Sequence, residues 1–75
     1  MSVKIYSMKI KNEKMSRNGI SIIDFYLGTH GVHKKSMAHD DGYVIFTVES
    51  TPESMEKAKK LPVISEYLKE VVELR

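Results

Sequence analysis

The chain contains no cysteine. Disulfide bridges, thiolate metal sites and cysteine nucleophiles are therefore excluded, and the composition fits a reducing compartment. Long apolar runs are also missing: nothing approaches the ~20 residues that a membrane helix needs. The opening Met1-Ser2-Val3-Lys4-Ile5-Tyr6 is charged too early and apolar too briefly for a signal peptide. There is no repeat, no low-complexity segment, no Ser-His-Asp pattern and no phosphate-binding P-loop. These absences predict a soluble, cytoplasmic protein with no membrane contact, no resident cofactor, no metal site and no catalytic residue set.

What remains is small. A chain of 75 residues is one α+β domain at most, and a chain of that size buries only about 60% of its unfolded surface. Small domains usually add disulfides, metal or oligomerisation, and here disulfides and thiolate metal sites are excluded. Net charge is +2, but it is unevenly spread. Residues 1–35 carry Lys4, Lys9, Lys11, Lys14, Arg17, Lys34 and Lys35 against Glu13 and Asp24, a net +5; residues 36–75 carry five basic and eight acidic side chains, a net −3. A basic half can meet phosphates or an acidic partner. The simpler reading is that the two halves neutralise each other, within the fold or across a dimer.

Residues 3–10 alternate as a strand, with Val3, Ile5 and Ser7 on one face and Tyr6, Met8 and Ile10 on the other. Residues 16–28 read as a helix capped by Ser16 and stopped by Gly28, with Ile20, Ile23 and Leu27 in one stripe. Asn18-Gly19 allows a second reading, a hairpin pairing 20–27 with 3–10. Residues 32–39 suit an edge strand, where Lys34 and Lys35 oppose aggregation. Asp40-Asp41-Gly42 is a tight turn, because aspartate and glycine tolerate positive φ. Tyr43 to Glu49 is the strongest strand: Val44, Phe46 and Val48 point one way, Tyr43, Ile45 and Thr47 the other. A helix then starts, either by a Ser50/Glu53 capping box or by Thr51 followed by Pro52 at the first helical position. Met55, Ala58 and Leu61 share a face of it, and Pro62 ends or kinks it. Residues 63–68 read as a short helical turn. The tail is either its continuation, with Ile64, Leu68 and Val71 in a stripe, or a fourth strand with Val72 and Leu74 inward.

The order strand, helix, strand, turn, strand, helix, strand is the ferredoxin-like βαββαβ order: a four-stranded antiparallel sheet with two helices on one face. The other face is bare, yet the strands place apolar groups on both. That face therefore calls for a cover. The stretch from Gly42 through Val48-Glu49-Ser50, Pro52-Glu53-Ser54-Met55-Glu56-Lys57-Ala58 and Leu61-Pro62-Val63 to Val71-Val72-Glu73-Leu74-Arg75 resembles the C-terminal half of YCII-related proteins and other dimeric α+β barrel proteins. That resemblance covers residues 42–75 and implies a pair of ferredoxin-like subunits packed sheet against sheet. YCII-related proteins carry a histidine on the first helix as part of an acid–base pair. Here that helix offers Asp24 and no histidine before Gly28, so the resemblance implies fold and dimer but not the chemistry.

Candidate sites follow from residue types. His30-Gly31-Val32-His33 has metal-ligand spacing, and His39 with Asp40 and Asp41 lies near. His33 and His39, six apart on one strand, would share a side but stand ~20 Å apart. The simpler reading is three partly exposed loop and edge histidines. Adjacent acids before a glycine are turn formers before they are a catalytic pair. Gly28-Thr29-His30-Gly31 is a helix stop before it is an anion loop. A ligand pocket between sheet and helices would lie near Tyr6, Asp24, Tyr26 and His30. Lys4, Lys9, Lys11, Lys14, Arg17, Lys34 and Lys35 form a candidate basic face for nucleic acid, although Tyr43 to Glu49 lacks the glycine–aromatic alternation of RNA-stacking strands. The leading expectation is a homodimeric binding or regulatory module acting on another protein by contact. A small α+β barrel enzyme or ligand binder, and a nucleic-acid binder, are the alternatives.

Overall fold

The computed structural model describes residues 2–12 and 17–74. Its elements run β1 (Lys4–Lys11), α1 (Arg17–Thr29), β2 (His33–Asp40), β3 (Tyr43–Ser50), α2 (Pro52–Lys59), α3 (Pro62–Ser65) and β4 (Leu68–Glu73). The strands form one antiparallel sheet in the order β2-β3-β1-β4. The α+β class and the four-stranded antiparallel sheet agree with the sequence. The element order departs from βαββαβ by one element, because α3 intervenes between α2 and β4. Pro62 has no N–H to continue α2, but it suits the first position of a new helical turn.

Alternation builds the core. Tyr6, Met8 and Ile10 of β1 and Val44, Phe46 and Val48 of β3 are buried on one face. Ile23 and Leu27 of α1, Met55 and Ala58 of α2, and Ile64 of α3 join them in a single apolar cluster. The helices therefore cover the face that presents Phe46. Asp41 (φ 37°) and Gly42 (φ 84°) both take positive φ, as a tight two-residue hairpin turn requires. At α2, Thr51 is the cap: its side chain accepts from the Ser54 N–H at 3.2 Å, and Pro52 follows at the first helical position. Ser50, the other capping candidate, is buried, and its hydroxyl donates to the Thr51 carbonyl.

Residues 17–29 are helical, so the hairpin reading of 20–27 fails. The expected cap Ser16 lies outside the described residues. Gly28 does not end the helix, which continues to Thr29. The stop is Gly31, at φ 81°. Its N–H donates to the Gly28 carbonyl at 3.2 Å, and the Val32 N–H reaches back to the Leu27 carbonyl at 2.9 Å. That is a Schellman ending, with Val32 and Leu27 both buried beside it.

Two bulges correct two face assignments. In β2 the register shifts between Lys34 and Ser36. His33 therefore aligns with Glu49 and His39 with Val44, residues of opposite β3 faces, so the two histidines do not share a side. In β4 the register shifts where Lys9 faces Glu70 and Ile10 faces Leu68. The tail is a strand, but Leu68 and Val71 turn toward the core while Val72 and Leu74 are exposed. A bulge inserts one residue and reverses the alternation beyond it, which reading the tail with an unbroken period of two does not capture.

Candidate functional site

Helix α1 carries more apolar residues than one face can hold. Ile20, Ile23 and Leu27 pack inward. Ile22, Phe25 and Tyr26 recur at helical spacing on the outer side, 45%, 66% and 40% exposed. With Ser21 they line a shallow depression open to solvent. The Phe25 and Tyr26 rings lie edge to face, with centroids 5.8 Å apart at 76°. No charged side chain lines the depression. Exposed aromatic and aliphatic groups clustered like this add nothing to the core.

The four residues proposed to line a pocket are not gathered at one place. Tyr6 is buried in the core on β1. Asp24 points toward β2, where its carboxylate meets the Lys34 ammonium at 2.9 Å. Tyr26 lies on the outer side of α1. His30 follows the helix end, with Nδ1 2.9 Å from the Tyr26 carbonyl and 3.1 Å from Thr29 Oγ1. A carbonyl only accepts, so the Nδ1–H tautomer makes the Tyr26 contact, and Thr29 Oγ1 donates to the same carbonyl at 2.9 Å. His30 and Thr29 thereby satisfy a carbonyl that the ending helix leaves open. Tyr26 and His30 meet through the backbone, and Asp24 and Tyr6 stand apart from them.

The basic side chains are divided between the two sides of the sheet. Lys4 pairs with Glu73 at 3.2 Å, and Lys35 approaches Glu49 at 3.7 Å. Lys34 pairs with Asp24 and stands 5.8 Å from the Phe46 ring centre. Lys9 sits 4.6 Å over the Tyr43 ring. Lys11 ends β1, exposed. Lys14 and the side chain of Arg17 lie outside the described residues. The Lys4 and Lys35 pairs join the basic first half to the acidic second half, so part of the charge asymmetry is neutralised within the fold. Among the described residues, no three histidine or carboxylate side chains group as metal ligands, and no buried side-chain nitrogen or oxygen lacks a hydrogen-bond partner. No helix among the described residues is long and apolar enough to cross a membrane.

Sequence reasoning placed Tyr26 near a site but passed over Ile22 and Phe25. The signal was present: between Ile20 and Leu27, only Ser21 and Asp24 are polar, which is too apolar for a helix with one buried stripe. No family model matches the chain, and no curated protein matches it.

Proposed function

We propose that this chain is a small homodimeric binding module that acts on another protein by contact rather than by chemistry. The observation that carries the reading is the doubled apolar character of α1. Its inner stripe builds the core, while Ile22, Phe25 and Tyr26 remain outside. Aromatic side chains offer large contact area for little lost conformational freedom, which suits them to anchor a partner. The frame is read as ferredoxin-like. The strand order β2-β3-β1-β4 and the helices on one face support that reading, with α3 as an added turn before the last strand. The resemblance of residues 42–75 to dimeric α+β barrel proteins points the same way, toward a second subunit.

The test compares the wild-type chain with Phe25→Asp as bait in extract of the native host, with thermal melting alongside. A contact face predicts a captured protein that is lost with Phe25→Asp, while the melting temperature stays unchanged. Equal capture by both baits overturns the assignment of the α1 face. A collapse in melting temperature on Phe25→Asp would make Phe25 a core residue and overturn it as well.

A further inference from the structure

We draw no further inference here: the strongest candidate, the outer edge of β2 at the end of the sheet, exposed from His33 to Asp40 and open to an added strand, carries nothing, because Lys34 and Lys35 are already paired with Asp24 and Glu49 and nothing in the structure shows what covers it.

Discussion

The two faces of β3 are built from similar residues and meet opposite fates. Val44, Phe46 and Val48 are fully buried, while Tyr43, Ile45 and Thr47, one step along the same strand, are half-buried. Hydrophobicity does not separate them, since Ile45 is as apolar as Val44. What separates them is cover. The helical residues Ile23, Leu27, Met55, Ala58 and Ile64 all close over one side, and among the described residues no further element covers the other. Burial in so small a domain is thus limited by how many elements can be supplied, not by how many apolar residues the strands offer. The surplus apolar groups stay on the open sheet face and on the outer side of α1, partly in water.

The sharpest way to break this comparison is to truncate one residue on each face. Phe46→Ala should cost about 3–5 kcal/mol, because it empties a site packed from both layers. Ile45→Ala, measured by urea unfolding at concentrations where chains do not associate, should cost roughly 1 kcal/mol or less, since its side chain is already partly in water. Equal costs would mean that the open face is closed by something the layered arrangement does not provide.

Much of this arrangement is legible in the residues. The alternation in β1 and β3 gathers Tyr6, Met8 and Ile10, and Val44, Phe46 and Val48, each on one face, as the buried sets have it, although Ser50, a capping candidate in the sequence, is the last buried residue of β3; the Asp41-Gly42 turn follows from its dipeptide, and Thr51-Pro52 announces α2. Two of the failures share a cause: they lie where a single residue changes the phase. The bulge beside Lys35 separates His33 from His39, and the one facing the Lys9–Ile10 step exchanges Val71 for Val72. A bulge leaves no reliable mark in composition, because any residue can be the inserted one. The candidate site was legible only in part. Phe25 falls off the inner stripe in any helical reading, but whether the outer side of a helix is covered depends on the neighbours, which one chain's periodicity does not reveal.

The second largest effect should come from the turn that delivers α1 onto the covered face. Gly31 takes φ 81°, and a Cβ there would stand 3.0 Å from Ser54 Oγ on α2. Gly31→Ala should therefore cost roughly 1–2 kcal/mol, mostly through the left-handed backbone, since a serine hydroxyl can rotate away. Gly28→Ala is the contrasting variant. Gly28 lies inside the helix with nothing within 4 Å of an added Cβ, so alanine there should be neutral or stabilising by up to about 1 kcal/mol. Guanidinium unfolding of the two variants checks the pair. The reverse order would restore Gly28 as the helix stop.

A smaller contrast tests the edge strand β4, where the two faces lie on adjacent residues. Val71 aligns with Met8 and packs on the core, whereas Val72 aligns with Ser7 and is exposed. Val71→Ala should cost roughly 1 kcal/mol, as a part-buried loss of two methyl groups, and Val72→Ala should leave the unassociated chain near wild-type stability. If Val72 proved the costlier of the two, the bulge in β4 would be misplaced and the tail would revert to the phase read from the sequence.

The smallest effect should come from the solvent side of the helix layer. The Lys59 ammonium lies 2.9 Å from the Glu56 carboxylate, and this hydrogen-bonded partner, helped by the charges of Lys59 and Lys60, holds Glu56 below the ordinary glutamate value. A lowered folded pKa means that the folded state favours the carboxylate, so any stabilisation is fully present above the unfolded value. It disappears as pH falls through the folded one. Glu56 is fully exposed, so the pair is screened by water and salt. Thermal melting of Glu56→Gln should therefore nearly superpose on wild type at neutral pH, with any difference vanishing on acidification through the carboxylate range and on addition of salt. A loss approaching that of Phe46→Ala would mean that ion pairs outside the helices, rather than apolar cover beneath them, hold the closed face shut.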